Sequence, residues 1–151
     1  MISVVVPDKL LLRRANRKQA NTSLEVKESA VVTGAAIKKI INHVLVQISG
    51  PSTIMVVETA TGTCLAHIGR ARGLDTAGVA ECHAQLVRQQ QLTMVRLGMR
   101  GERLEDILVP FRKQLHLIRM AKSGEWFVHL AVKTQDTSLA LAREILKSII
   151  P

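Results

Sequence analysis

The sequence has 151 residues, the usual size of one domain, and a formal net charge of +9. Apolar residues make up 47% of it, which excludes wholesale disorder, and aromatic residues only 2%, so the core must be mainly aliphatic. The basic excess favours an acidic protein, a nucleic acid or an anionic membrane surface as a partner, and does not discriminate among them.

The first 27 residues differ in character from the rest, with six Lys or Arg side chains against two Asp or Glu. The apolar start is interrupted by Pro7, Asp8 and Lys9, and its basic residues follow the apolar run, so no secretory signal peptide is predicted. No apolar stretch approaches the roughly 20 residues of a membrane-spanning helix. We therefore expect a basic N-terminal extension at residues 1–27, a domain at residues 28–151, and a cytoplasmic location.

The first part of the domain predicts a helix followed by a hairpin. Apolar residues recur at a spacing of four from Val32 to Ile48, which predicts a helix over residues 28–49 that ends before Pro51. The continuous apolar run at residues 54–57 predicts a strand buried on both faces. After a Gly-containing turn, residues 63–68 form the second strand of the hairpin.

A second helix is predicted to start at a cap formed by Asp75 or Thr76 and to end near Leu97. Its inner face is predicted from the helical period and comprises Val79, Leu86, Met94 and Leu97, with Ala80, Val87 and Val95 nearby. The remaining elements are strands at residues 104–111, 115–120 and 126–132, and a last helix capped by Asp136 or Thr137.

The element order is therefore α-β-β-α-β-β-β-α, which predicts an α+β (α/β) fold. The apolar runs at residues 54–57 and 126–132 need cover on both faces, and three amphipathic helices can supply it. We expect a five-stranded antiparallel sheet between helical layers.

Residues 28–151 resemble the roadblock family, which includes the dynein light chain roadblock and bacterial gliding regulators. The resemblance rests on the element order and on three local stretches. The first is the strand that ends in Glu58-Thr-Ala-Thr-Gly62, and the second is Leu65-Ala66-His67-Ile68-Gly69. The third runs from Ala131 to Asp136 and continues into Leu139 to Arg143. Profilin-like and longin folds share much of this pattern.

The resemblance implies a homodimer that acts as a platform for a partner, often a small Ras-like GTPase. Family members typically join through the second helix and the following edge strand, here residues 75–97 and 104–111. Pro110 lacks an N–H group, so strand pairing across the dimer is expected to be interrupted there. The expected interface residues are Val87, Arg88, Gln89, Gln91, Met94, Ile107, Val109 and Phe111.

No catalytic, cofactor-binding or metal-binding residue is predicted. His116 and His129 could face each other across neighbouring strands, but no third ligand is placed by spacing, so a structural role is favoured. Cys82 and His83 are adjacent on a helix, where their side chains diverge. Glu102, Glu105 and Asp106 are expected to protect an exposed strand edge.

The segment Gly69-Arg70-Ala71-Arg72-Gly73 is rich in glycine and positive charge but lacks the spacing of a phosphate-binding loop. A solvated basic loop is the favoured interpretation. The sequence thus predicts a non-catalytic interaction scaffold. The alternative is a basic nucleic-acid-binding module with sequence-blind, salt-sensitive affinity, against which the scarcity of stacking aromatic residues argues.

Overall fold

The computed structural model describes residues 24–69 and 73–150, so most of the predicted extension and the centre of the Gly-Arg loop lie outside the described residues. The described elements are α1 (Gly34–Gln47), β1 (Thr53–Glu58), β2 (Cys64–Gly69), α2 (Thr76–Arg96), β3 (Asp106–Pro110), β4 (Gln114–Met120), β5 (Trp126–Lys133) and α3 (Leu139–Ile149). They confirm the predicted element order.

The five strands form one antiparallel sheet in the order β2-β1-β5-β4-β3. The predicted fold class is therefore confirmed. β5 is central and pairs with both β1 and β4. Its side chains are buried on both faces because helices pack on each side of the sheet. β2 and β3 are the two edge strands. Because side chains alternate between the faces of a strand, this register sorts the sheet residues into two sets.

One set faces α1 and α3, and we call this side the α1/α3 face. Its core is continuous and largely aliphatic, and it includes Ile37, Ile41 and Val44 of α1, Ala142 and Leu146 of α3, and Ile54, Val56, Leu117, Val128 and Leu130 of the sheet. Leu24 and Val26 also pack against this cluster, and the Lys27 N–H donates to the Leu65 carbonyl at 2.8 Å. The last residues assigned to the extension therefore contact the domain.

The other set faces α2, and we call this side the α2 face. Small α2 residues, Ala80, Ala84 and Val87, are buried there above Met55, Val57, Ile118, Met120 and Phe127. Asp75 caps α2, as predicted, because its carboxylate accepts the Gly78 N–H at 3.0 Å.

Two predicted helix starts were too early. α1 begins at Gly34, where the Thr33 hydroxyl accepts the Ala36 N–H at 3.2 Å, and residues 28–33 are not helical. α3 is capped by Ser138, whose hydroxyl accepts the Leu141 N–H at 3.2 Å. In both cases a hydroxyl side chain that satisfies a free N–H group of the first turn decides the boundary, and apolar spacing does not reveal it.

Asp106 also differs from expectation, because its side chain is only 6% exposed. It accepts hydrogen bonds from Arg119 of β4 at 3.0 Å and from Arg143 of α3 at 2.6 Å. Asp106 therefore ties the edge strand β3 to its neighbour and to α3, and it does not serve as a solvated charge on the strand edge.

Candidate functional site

Exposed apolar side chains concentrate at the C-terminal end of α2. Residues of α2 that are fully buried lie between Ala80 and Val87, and none follows Val87. Val95 is 75% exposed and Leu97 69% exposed, so the prediction that they belong to the inner face was wrong. Apolar residues recur at the helical period up to the end of α2, but the part of the helix that is buried against the sheet ends at Val87. We call Leu92, Val95, Leu97 and Met99 the α2 apolar patch.

A cleft of about 560 Å³ adjoins the α2 apolar patch. It lies between the end of α2 and the loops on either side of β3 and β4, and its lining includes Gln91, Met94, Met99, Leu104 and Gly124. Exposed apolar surface beside a concave region is typical of protein-binding sites.

The edge strand β3 pairs only with β4 among the described residues. Leu108 is 39% exposed and Phe111, just past the end of the strand, is 56% exposed. Pro110 lies in β3 opposite Leu115 and has no N–H group to offer a further strand. Within residues 24–69 and 73–150, nothing pairs with the outer edge of β3, which leaves room for a further strand along part of its length.

The predicted interface residues fall into different environments. Val87 is completely buried inside the chain, so its assignment to an interface was wrong: it lies under α2, on the side that faces the sheet. Arg88 is half-buried and donates to the Thr59 carbonyl at 2.7 Å and to Glu81 at 2.7 Å. Its guanidinium therefore ties α2 to the turn after β1.

The other predicted residues remain available at the surface or partly so. Gln89 and Phe111 are exposed, whereas Gln91, Met94, Ile107 and Val109 are half-buried. Gln91 and Met94 line the cleft beside the α2 apolar patch. The helical period predicted Leu97 on the inner face of α2 with Val95 nearby and did not extend to Met99, because apolar spacing does not indicate where a helix stops packing on the sheet.

A second feature of the α2 face is a cluster of three histidines, His83 of α2, His116 of β4 and His129 of β5. In the β4–β5 register, His129 lies opposite Ile118 and His116 opposite Ala131, so the two histidines are diagonal neighbours on one face. Nδ1 of His116 lies 3.0 Å from Nε2 of His129. The prediction that these two side chains meet is confirmed.

His83 of α2 is the third member of the histidine cluster. Its ring stacks on the ring of His129, with centroids 3.9 Å apart, and lies 6.4 Å from the ring of His116. Phe111 contacts His116 edge-on, with ring centroids 5.0 Å apart. No sequence spacing indicated His83, because it joins the cluster only through the packing of α2 on the sheet.

Burial sets the electrostatics of the histidine cluster. Desolvation, followed by the neighbouring histidines His83, His116 and His67, lowers the pKa of His129 to about 2. Desolvation also lowers the pKa of His83 and of His116. All three imidazoles are therefore neutral at neutral pH, and each has a nitrogen lone pair available to an acceptor role.

The hydrogen bonds of the cluster form a chain. The Gln114 side-chain oxygen lies 3.1 Å from Nε2 of His116 and accepts a hydrogen bond from its N–H group. Nδ1 of His116 is then the acceptor for the Nε2–H group of His129. Nδ1 of His129 is buried and has no hydrogen-bond partner among the described residues. A cleft of about 520 Å³, lined by all three histidines together with Thr53 and Lys133, connects the cluster to the surface.

The two cysteines lie in different surroundings. Burial raises the pKa of the Cys64 thiol, and that thiol donates to the Ala66 carbonyl at 3.4 Å. Cys82 is exposed on α2. Among the helices that the structure describes, none combines the length and the apolar character needed to cross a membrane.

Neither a protein-family model nor a curated protein matches this sequence. Solved structures do match it. Myxococcus xanthus MglB superposes with a TM-score of 0.67 at 15% identity, over 78% of this chain and 91% of MglB. The chain has the roadblock fold. A structure of MglB with tetrameric arrangement gives a TM-score of 0.64 at 15% identity, over 83% of this chain and 92% of that one.

A Roadblock/LC7 domain from Streptomyces avermitilis gives a TM-score of 0.59 at 14% identity, over 74% of this chain and 92% of the domain. At such low identity these likenesses concern the roadblock fold alone. They confirm the resemblance drawn from the element order and the local stretches.

Proposed function

We propose that this roadblock-fold protein is a non-catalytic homodimeric scaffold that binds or regulates a small Ras-like GTPase. The observation that carries the proposal is the α2 apolar patch, together with an edge of β3 that no other described strand covers. The patch at the end of α2 and the edge strand β3 belong to the two elements through which family members typically join. One MglB structure of the same fold has a tetrameric arrangement, which supports self-association as a property of such surfaces.

Apolar side chains that stay exposed to water carry a free-energy cost. Val95 and Leu97 leave most of their apolar surface in water, and burial of each would contribute roughly 25 cal/mol per Å² removed. A second copy of the same surface, related by a two-fold axis, would bury both patches at once. The free β3 edge can add strand pairing to that contact, up to the interruption at Pro110.

The test compares two valines that are similarly exposed on helices. Val95 on α2 is 75% exposed, and Val46 on α1 is 82% exposed on the opposite side of the sheet. We expect a dimer mass for the unmodified protein at micromolar concentration in analytical ultracentrifugation. Val95→Glu should weaken self-association by at least about tenfold, since it desolvates a charge in the interface, whereas Val46→Glu should leave it unchanged.

A monomer mass for the unmodified protein at every concentration would exclude the homodimer. Equal effects of the two substitutions would place the interface elsewhere. The GTPase part is tested separately, by measuring the binding of a small Ras-like GTPase from the same organism in its GDP and GTP-analogue states. Binding of neither state by the intact dimer would remove that part of the proposal and leave self-association standing.

A further inference from the structure

We propose that His83, His116 and His129 form a binding site for a first-row transition-metal ion, with Zn²⁺ as the representative case. Each side chain offers one ring nitrogen, and the three nitrogens lie within 4.8 Å of one another. The residues come from three different elements, α2, β4 and β5, so the site exists only in the folded chain. Nothing in the scaffold function requires it.

The distances suit a shared ion. In tetrahedral zinc sites the Zn–N bonds are about 2.0–2.1 Å, which separates two nitrogen ligands by roughly 3.4 Å. Nδ1 of His116 and Nε2 of His129 are already 3.0 Å apart. An ion would replace their hydrogen bond by two coordinate bonds, and a rotation of the stacked His83 ring would bring in the third nitrogen.

Gln114 provides the kind of support that metal-bound histidines usually have. A ligating imidazole typically donates its other N–H group to an oxygen, which fixes the tautomer and the ring orientation. The Gln114 oxygen lies 3.1 Å from Nε2 of His116 and so directs the Nδ1 lone pair toward the other two histidines.

The donor set points to the class of ion. Imidazole nitrogen suits Zn²⁺, Cu²⁺ and Ni²⁺, whereas Mg²⁺ and Ca²⁺ require oxygen ligands, and no carboxylate belongs to this cluster. Three protein ligands leave a fourth position open. The 520 Å³ cleft has room for that ligand, and the Lys133 side chain lining the cleft favours an anion such as hydroxide there.

The competing explanation is that the histidines are only packing groups beneath α2. Packing does not require one ring nitrogen from each of three histidines to lie within 4.8 Å of the others. The two explanations differ in a measurable way, because packing alone produces no metal affinity above that of scattered surface histidines.

The experiment uses the untagged full chain, stripped of metal with a chelator and titrated with Zn²⁺ against a chromophoric competitor. Co²⁺ serves as the spectroscopic probe, since tetrahedral coordination gives strong visible absorption. We expect one ion per chain. His83→Gln should lower the affinity for Zn²⁺ by more than about 100-fold, and Gln114→Met by about 10–100-fold.

Two control variants separate this site from incidental binding. His43→Gln removes an imidazole of α1 that contacts Ser148 and lies outside the cluster. Cys82→Ser removes the exposed thiol beside His83. Both should keep the affinity of the unmodified chain.

Folding of each variant is checked by circular dichroism. Imidazole nitrogen shifts in the NMR spectrum of the unmodified chain report the ligands without any substitution. An unchanged affinity in His83→Gln, or nitrogen shifts at histidines other than these three, would overturn the proposal.

Discussion

The two faces of the sheet differ in the helices that cover them and in the residues that they bury. The α1/α3 face has two helices above it and a continuous aliphatic core, with one buried ion pair at its β3 end. The α2 face has a single helix that contributes only small buried residues and leaves space for three histidines. Beyond that cover, the end of α2 presents apolar side chains to solvent. From this contrast we expect substitutions in the α1/α3 core to affect stability most and substitutions on the α2 side to affect binding most.

The largest expected effect is a loss of free energy of unfolding when a core residue of the α1/α3 face is truncated. Leu130 lies in the central strand on the α1/α3 face and is completely buried, so Leu130→Ala should lower the free energy of unfolding by about 2–5 kcal/mol. Leu92 of the α2 apolar patch is 43% exposed, and Leu92→Ala should cost about 0.5 kcal/mol or less. Urea denaturation measures both. Similar losses for the two variants would show that the patch is packed in solution.

The next largest effect is a pH dependence of the free energy of unfolding, which arises from His129 on the α2 face. Because the pKa of His129 falls from 6.5 to about 2 on folding, the unfolded chain takes up a proton below pH 6.5 that the native chain does not. The free energy of unfolding should therefore be unaffected by His129 above that pH. It should decrease as the pH falls, by up to about 1.4 kcal/mol per pH unit.

Chemical denaturation in metal-free buffer at several pH values between about 4 and 8 measures this slope. His83 and His116 face His129 and contribute in the same direction, since their pKa values are also lowered. We expect His129→Phe to flatten the pH dependence and His43→Gln to leave it as it is. An equally steep slope in His129→Phe would show that His129 is not the source of the acid sensitivity and would assign it to other groups, such as His83, His116 or the carboxylates.

The smallest expected effect is at Arg88, where a substitution should lower the stability without changing self-association. Its half-exposed guanidinium bonds to Thr59 and Glu81 of its own chain, so Arg88→Gln should cost about 1 kcal/mol of stability. The dimer mass should not change. Gln89→Ala, at an exposed neighbouring position, provides the control and should leave the melting temperature unaltered. Loss of the dimer in Arg88→Gln at full stability would restore Arg88 to the interface.

The sequence by itself determined the element order and the fold class. Continuous apolar runs such as residues 54–57 predicted strands with cover on both faces, since only a buried strand tolerates apolar side chains in every position. The cap at Asp75 was also predictable, because the bond from its carboxylate to the Gly78 N–H is local. Interactions between residues close in the chain can be recognised from residue types alone.

Only the tertiary structure decided the candidate sites. Val95 and Leu97 follow the same helical period as buried residues, but they are exposed because the cover of α2 ends before them. Asp106 became a buried partner of Arg119 and Arg143 through the β3–β4 register and the approach of α3. His83 joins His116 and His129 because α2 packs on the face of the sheet that carries these two side chains. Periodicity specifies which side of an element is apolar, whereas the placement of elements on one another decides which side chains meet.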